Sequence, residues 1–364
     1  MAIIAHRFIE AGVSVKFSSF QDGLSYLTKQ GFDCERVPAI QVGWSVFSTS
    51  KALAELPSIL FALRKQVFRE LSVIKRFKPD LVLSDSRLSA VIAAALLGIP
   101  SITVLNQLRI LLPRPTRVPL ASFLEDSAAE VLAYFWSLSE KILVPDLPPP
   151  YTIAERNISR VRHRGKIRFT GFLFSRPTFD ESVLEEIRNS LGLDNGKPVI
   201  LALLSGPRPT RGIAHQVIEA AKNYASQFNF VVSMGIENGK THPQRTDWGI
   251  LFEWCPLRDE LMALTDIVLA RAGHSVIAQS ILFGKPMLLI PIASHSEQMA
   301  NAARAAELGV AANLTESNII SDFGRQAQHL LTSKIVKGKV MELKSAAERF
   351  PGVDLLTKEV MKFL

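Results

Sequence analysis

The stretch from residue 266 to residue 302 constrains the fold of this chain more than any other. The apolar run 267–270 has the length of a buried strand, and the run 276–283 has that of a helix that Gly284 ends. Residues 287–290 form a second apolar run. A strand, a turn, a helix and a second strand are the repeating unit of a parallel sheet covered by helices. The stretch therefore predicts an α/β fold.

Polar residues follow both predicted strands, at the carboxyl ends where parallel sheets bind ligands. Those after the first strand are Arg271, Gly273, His274 and Ser275, and those after the second run from Ser294 to Gln298. A glycine turn at a helix N-terminus suits a phosphate, although glycine also serves turn geometry alone. Glu297 and Gln298 suit sugar hydroxyls, and Asn301 lies one helical turn further on the same face. We expect the two loops to converge on one crevice.

The same order of elements occurs once earlier in the chain. Residues 79–85 form an apolar strand that ends in Asp85, before an Ala-rich helix and a Gly-x-Pro turn. Residues 198–204 form another strand. A chain of 364 residues suits two domains of ordinary size. We therefore predict two doubly wound, Rossmann-like domains, at 1–175 and 176–364.

Composition narrows the class of protein. The two cysteines, Cys34 and Cys255, have no metal-ligand or CxxC spacing, which favours a reducing cytoplasm. No apolar run reaches the roughly 18 residues of a membrane span, and no signal peptide pattern begins the chain. The net charge of +8 favours an anionic partner. No nucleic-acid-binding motif occurs, so we expect no nucleic acid partner.

The sequence resembles the GT-B glycosyltransferases of family 28. This group includes the bacterial enzyme that adds N-acetylglucosamine to lipid-linked muramyl-pentapeptide, and related archaeal-type sugar transferases. The resemblance is carried by the joint order of Arg271-Ala-Gly273, Gly284-Lys-Pro286 and Glu297-Gln-x-x-Asn301-Ala. It implies two domains facing across a cleft, with the last helix crossing back to the first domain. It also implies a UDP-sugar donor and no metal ion or other cofactor.

The resemblance also implies roles for individual residues. Arg271, Gly273, His274 and Ser275 would lie at the donor phosphates, together with a Gly-rich loop that includes Ser205, Gly206 and Arg208. Trp254 is a candidate for the nucleotide base, Gln279 for the ribose, and Glu297, Gln298 and Asn301 for the donor sugar. Asp85 would orient a catalytic histidine, and the alternative for Asp85 is a helix N-cap.

The sequence departs from the family pattern at three places. A first strand and a Gly-x-Gly-His turn with the catalytic histidine are absent, so we expect Met1 to be an internal methionine of a longer protein. The ribose-binding Glu of the family is replaced by Gln279, and prolines interrupt the Gly-rich loop. These departures leave two alternatives open. One is a non-catalytic subunit that binds a nucleotide-sugar, and the other is a UDP-sugar 2-epimerase that uses Asp85 and Glu297.

The resemblance places the N-terminal domain on the acceptor side, and this domain contains a strongly basic helix. Residues 51–78 predict a long helix, or a helix pair broken at Pro57, with many lysines and arginines. This helix is either a solvated cover of the sheet or a surface that touches anionic lipid. The second interpretation suits a polyprenol-linked or glycan acceptor of the cell envelope. It places the protein in the cytoplasm, peripheral to the inner face of the membrane.

Overall fold

The structure is a computed structural model, and it describes residues 1–39, 49–108, 119–158, 164–174, 177–204, 212–293 and 295–364. The chain divides into two compact units. Unit 1 consists of Met1–Pro148, Glu155–Leu173 and Phe350–Leu364, and unit 2 of Pro149–Ala154 and Phe174–Arg349. The predicted domain boundary, between residues 175 and 176, lies outside the described residues.

Unit 1 alternates helices and short strands. Its helices are α1 (Ala2–Glu10), α2 (Gln21–Lys29), α3 (Thr49–Phe77), α4 (Leu88–Leu96), α5 (Pro119–Trp136), α6 (Glu155–Ile158) and α14 (Gly352–Met361). Its strands are β1 (Phe17–Ser19), β2 (Cys34–Arg36), β3 (Val82–Asp85), β4 (Ser101–Val104), β5 (Lys141–Val144) and β6 (Ile167–Phe169). The long predicted helix is one continuous helix, α3, and Pro57 lies inside it.

The strands of unit 1 form two parallel sheets. One has the order β3-β4-β5-β6, and the other pairs β1 with β2. One core cluster combines Ile4 and Phe8 of α1 with strand residues and with Val353, Leu356 and Val360 of α14. The three α14 residues follow helical spacing and form one apolar face. The last helix therefore completes the core of the N-terminal unit.

Unit 2 is built around one seven-stranded sheet. Its helices are α7 (Glu181–Leu191), α8 (Ala214–Tyr224), α9 (Arg258–Leu264), α10 (His274–Phe283), α11 (Ser296–Glu307), α12 (Ile319–Thr332) and α13 (Lys334–Arg349). Its strands are β7 (Val199–Leu203), β8 (Asn229–Ser233), β9 (Gln244–Arg245), β10 (Ile250–Phe252), β11 (Ile267–Ala270), β12 (Met287–Leu289) and β13 (Ala311–Asn313). Every strand pair is parallel except β9 with β10. The predicted α/β class is confirmed.

The strand order of unit 2 creates a topological switch point. The order is β13-β12-β11-β7-β8-β10-β9, so β7 lies between β8 and β11. The chain leaves β7 toward β8 on one side and later returns to β11 on the other. In open α/β sheets, ligands bind at such a point, beyond the carboxyl ends of the strands. The turn after β11 and the loop after β12 both lie at this edge, as the sequence predicts.

Candidate functional site

The turn between β11 and α10 is the centre of the candidate site. Gly273 is the N-cap of α10 and has an extended backbone, with φ −70° and ψ 141°. A Cβ at Gly273 would meet nothing within 4 Å, so the space beside this turn is open. The first N–H groups of a helix lack partners within the helix and carry a partial positive charge. The turn is therefore suited to an anion.

Two predicted phosphate ligands follow Gly273 directly. His274 is the first residue of α10 and is buried, whereas Ser275 is exposed. The helix begins two residues earlier than the sequence predicts, because the extended Gly273 leaves His274 free to enter the first turn. The hydroxyl of Ser275 is thus accessible next to the N–H groups of the helix end.

Arg271 is oriented inward. Its side chain is only 6% exposed. Its Nη1 donates to the carbonyl oxygen of Ile290 at 3.1 Å and lies 2.7 Å from Oε1 of Glu316. In this position the guanidinium joins the ends of β11 and β12 to the loop after β13. A direct contact of Arg271 with phosphate stays a prediction.

Asn301 and Gln298 of α11 hold the two loops in place. Asn301 is fully buried, and its Nδ2 donates to the carbonyl oxygen of Ala272 at 3.3 Å. The Oε1 of Gln298 accepts a hydrogen bond from the N–H of Ile292 at 3.2 Å. The N–H of Gln298 in turn donates to Nδ1 of His295, the N-cap of α11, at 3.4 Å. The structure therefore brings the turn after β11 and the loop after β12 together through side-chain amides.

Glu297 and Gln279 are the remaining predicted donor ligands in this region. Glu297 lies in the first turn of α11 and is half-buried. Gln279 lies on α10, and its buried Oε1 has no hydrogen-bond partner among the described residues. The sugar and ribose roles of these two residues stay predictions. Ser294, at the start of the second loop, lies outside the described residues.

Trp254 follows β10 on the other side of the switch point. Its side chain is 45% exposed, and its backbone N–H donates to the carbonyl oxygen of Lys240 at 3.1 Å. The carboxylate of Glu253 accepts from the N–H of Lys240 at 2.9 Å. These bonds fix the loop that presents the indole ring to solvent. The residues predicted for the Gly-rich loop, Ser205, Gly206 and Arg208, lie outside the described residues.

Asp85, the predicted catalytic aspartate, is the last residue of β3 in unit 1 and is exposed. The alternative role as a helix N-cap is wrong, because the N-cap of α4 is Arg87 and its N–H donates to Oγ of Ser84 at 3.2 Å. Asp85 accepts from Oγ of Ser86 at 3.5 Å, and Ser86 has a positive φ of 53°. The carboxylate is therefore free of a capping role.

A buried polar cluster in unit 1 has no counterpart in the sequence predictions. Glu70 of α3 is 2% exposed, accepts from Oγ of Ser18 at 3.0 Å and pairs with Arg87 at 3.0 Å. Arg87 also donates to Ser18. Burial raises the pKa of the Glu70 carboxyl, and the Arg87 guanidinium opposes that rise. A polar residue on the inner face of an amphipathic helix gives no such signal in a single sequence.

The sequence comparisons match this chain to glycosyltransferases. Residues 200–351 match the glycosyltransferase family 28 C-terminal domain. An uncharacterized glycosyltransferase of Methanosarcina acetivorans is 23% identical over 369 residues, which cover 99% of this chain and 94% of that relative. The UDP-N-acetylglucosamine--N-acetylmuramyl-(pentapeptide) pyrophosphoryl-undecaprenol N-acetylglucosamine transferase of Desulfitobacterium hafniense is 26% identical over 348 residues, covering 92% of this chain and 88% of that enzyme.

Solved structures establish the fold. The glycotransferase of kitacinnamycin superposes with a TM-score of 0.70 at 16% identity, covering 99% of this chain and 94% of that one. CalG4, the calicheamicin glycosyltransferase, superposes with a TM-score of 0.68 at 15% identity, covering 99% and 93%.

The solved structures confirm the predicted GT-B fold. The family match and the relatives indicate a glycosyltransferase. Within that class, the match over residues 200–351 confirms the predicted resemblance to glycosyltransferase family 28.

Proposed function

We propose that this chain transfers a sugar, N-acetylglucosamine or a similar hexose, from a uridine diphosphate donor to an acceptor hydroxyl. The observation that carries the proposal is the open N-terminus of α10 at the switch point, with Glu297 and Gln298 beside it on α11. The relative in Desulfitobacterium hafniense, which is named for UDP-N-acetylglucosamine, supports the choice of nucleotide and sugar.

In this proposal, different residues of unit 2 bind different parts of the donor. The pyrophosphate lies at the first turn of α10, next to the hydroxyl of Ser275 and the ring of His274. Negative charge develops on the leaving diphosphate during transfer, and N–H groups already aimed at that position stabilise it without a metal ion or other cofactor. The Gly-rich loop with Ser205, Gly206 and Arg208 would supply further contacts.

The other parts of the donor match side chains of different chemistry. The exposed indole ring of Trp254 offers a flat apolar surface to the uracil base. The amide of Gln279 suits the ribose diol, without the charge assistance of a carboxylate. Glu297 accepts hydrogen bonds from hydroxyls of the donor sugar. Asp85 is proposed to orient the base that removes the acceptor proton.

We also propose that the protein binds an anionic membrane surface, where it would meet a polyprenol-linked acceptor. The outer face of α3 supports this interaction. Phe61 and Phe68 are exposed at two helical turns' spacing, and Leu60 is exposed beside them. Arg64 lies 5.7 Å from the ring centre of Phe68, and Lys65 lies 4.4 Å from that of Phe61. Aromatic rings that alternate with cations on one helix face suit the headgroup region of an anionic bilayer. No helix in the described ranges has the length and hydropathy of a membrane span.

Calorimetric titration with UDP and with UDP-N-acetylglucosamine tests the donor assignment. We expect both ligands to bind. We expect Glu297→Gln to weaken binding of UDP-N-acetylglucosamine and to leave binding of UDP unchanged. Glu186→Gln, an exposed carboxylate on α7, is the matched control. Release of UDP with a lipid-linked acceptor separates a transferase from a non-catalytic binding subunit. Absence of binding by either nucleotide refutes the donor, and binding without turnover favours the binding subunit.

Vesicle sedimentation tests the membrane surface. The wild-type chain should bind vesicles that contain an anionic lipid and release them at high salt, because surface charges are screened. Replacing Phe61 and Phe68 by serine should weaken binding several-fold. Tyr134→Ser, an equally exposed aromatic on α5, is the control. Equal binding of neutral and anionic vesicles would contradict the proposal.

A further inference from the structure

We infer that Glu316 is a positioning residue of the donor site. Its carboxylate holds the buried guanidinium of Arg271, which fixes the carboxyl end of β12 and the loop that leads from it into α11, where Glu297 and Gln298 lie. The inference rests on the proposed function, since it concerns the donor site of the same reaction.

One guanidinium links three neighbouring strands. Arg271 follows the last residue of β11, and its Nη1 donates to the carbonyl oxygen of Ile290, directly after β12. The same atom pairs with Glu316, which follows β13, at 2.7 Å. β11, β12 and β13 are adjacent in the sheet. Because all three are parallel, their carboxyl ends lie at one edge, and the ion pair ties that edge together.

The two partners differ in exposure, and this difference assigns their roles. The Arg271 side chain is 6% exposed, while that of Glu316 is 46% exposed. A buried guanidinium needs a carboxylate to offset its lost hydration, so Glu316 keeps Arg271 in its inward position. Arg271 in turn gives Ile290 a charge-assisted hydrogen bond. Glu316 therefore acts through Arg271.

The loop that presents Glu316 is itself ordered by side chains. The N–H of Thr315 donates to Oδ1 of Asn318 at 2.6 Å, and the hydroxyls of Thr315 and Ser317 lie 3.0 Å apart. These contacts flank Glu316 on both sides. The backbone at Glu316 is thus ordered, in contrast to that of a pair between two mobile surface side chains.

The ion pair affects the site through Ile290, whose carbonyl oxygen accepts the hydrogen bond from Arg271. Ile290 is two residues before Ile292, whose N–H donates to Oε1 of Gln298. The Gln298 N–H donates to His295. Loss of the bond to Ile290 would loosen the start of this loop, and Glu297 would move with it. Contacts to the donor sugar would suffer more than contacts to the phosphates, which rely on α10.

Amide hydrogen exchange, followed by NMR on the ligand-free chain, tests the ion pair without any nucleotide. In Glu316→Ala we expect the amides of Ile292 and Gln298 to exchange about tenfold faster than in the wild type. The reason is that the equilibrium constant for local opening of this segment should rise by the same factor. The amide of Leu201, in the central strand β7, should not change. Glu342→Ala is the control, since Glu342 pairs with Lys339 at 2.8 Å and is 40% exposed. Wild-type exchange at Ile292 and Gln298 would overturn the inference.

Titration of the same variants links the ion pair to the donor. We expect Glu316→Ala to raise the Kd of UDP-N-acetylglucosamine about tenfold and that of UDP much less, because small displacements of positioning groups weaken specific contacts strongly. Glu316→Gln keeps an acceptor oxygen, so its Kd for UDP-N-acetylglucosamine should lie between those of the wild type and Glu316→Ala. A merely structural role would lower the thermal midpoint and weaken both ligands equally, and that result would overturn the inference. If the wild-type chain binds neither nucleotide, the proposed donor fails, while the exchange measurement still decides on the ion pair.

Discussion

Replacing Asn301 by leucine should destabilise unit 2 and weaken nucleotide binding. Leucine has the same branching at Cγ and the same number of side-chain heavy atoms as asparagine but removes the donor to the carbonyl oxygen of Ala272. Ala272 is fully buried, so water cannot take the donor's place. An unsatisfied buried carbonyl costs about 1–3 kcal/mol, and the length of the present bond, 3.3 Å, places the expected loss at about 1–2 kcal/mol. Binding weakens because Ala272 and Gly273 form the turn at the start of α10.

Urea denaturation at pH 7 measures this loss against a matched control. Asn313 also donates from Nδ2 to a backbone carbonyl, that of Ala302, at 3.0 Å, but Asn313 is exposed. The Ala302 carbonyl lies inside α11 and keeps its hydrogen bond within the helix, so Asn313→Leu should lose less than about 0.5 kcal/mol. Equal losses in the two variants would refute the reasoning, because the Ala272 carbonyl would then not depend on Asn301 for its hydrogen bond.

Asn301→Asp tests the same contact with a charge. The Oδ1 of Asn301 has no hydrogen-bond partner among the described residues, so a carboxylate at this position would lack donors and face the Ala272 carbonyl. At pH 7 we expect a loss of about 3 kcal/mol or more. Burial should raise the pKa of the new carboxyl, so its penalty is absent below the ordinary pKa of about 3.9 and develops as the pH rises through the raised pKa. The protonated acid can again donate to Ala272. A loss that is constant from pH 4 to pH 7 would contradict this account.

Three further predictions concern other parts of the molecule. Burial raises the pKa of Glu70, so the free energy of unfolding of the wild type should fall as the pH rises above the ordinary pKa of 4.5. The Glu70→Gln variant should lack this pH dependence, and urea denaturation at several pH values measures both. Burial raises the pKa of the Cys255 thiol to about 11 and also raises that of Cys34, so both should react with iodoacetamide at pH 8 far more slowly in the native chain than in urea. Leu356→Ala should lower the free energy of unfolding by about 3 kcal/mol, and Leu355→Ala, at a less buried position of the same helix, by clearly less; calorimetric unfolding measures both.

The sequence predicts the centre of the site well because buried parallel strands are short apolar runs. The predicted strand over 267–270 coincides with β11, and Gly284 ends α10 in the left-handed conformation, with φ 69°. The strand at 287–290 ends one residue early, at Leu289. Glycine and apolar runs are local signals, so one sequence suffices to place these elements.

Side-chain direction is less predictable, because it depends on residues far away in the sequence. The Arg-Ala-Gly stretch predicts a phosphate contact for Arg271, yet its guanidinium lies on Glu316, 45 positions later in the numbering. The donor of Asn301 binds the carbonyl oxygen of Ala272, a contact that the sequence does not indicate, and its predicted sugar contact stays a prediction. The two-residue strand β9 is polar and pairs only at the sheet edge, so periodicity gives no sign of it.

The interrupted sequence of unit 1 has a consequence for synthesis on the ribosome. Its core needs Val353, Leu356 and Val360, which emerge from the ribosome only after all of unit 2 has been made. Domains usually complete their folding in the order in which they are translated. Here the unit that starts first is completed last, and its strands keep apolar surface exposed while the segment Phe174–Arg349 is added. A chain that ends at Arg349 and has been released from the ribosome should therefore carry a folded unit 2 and an N-terminal unit that chaperones still recognise.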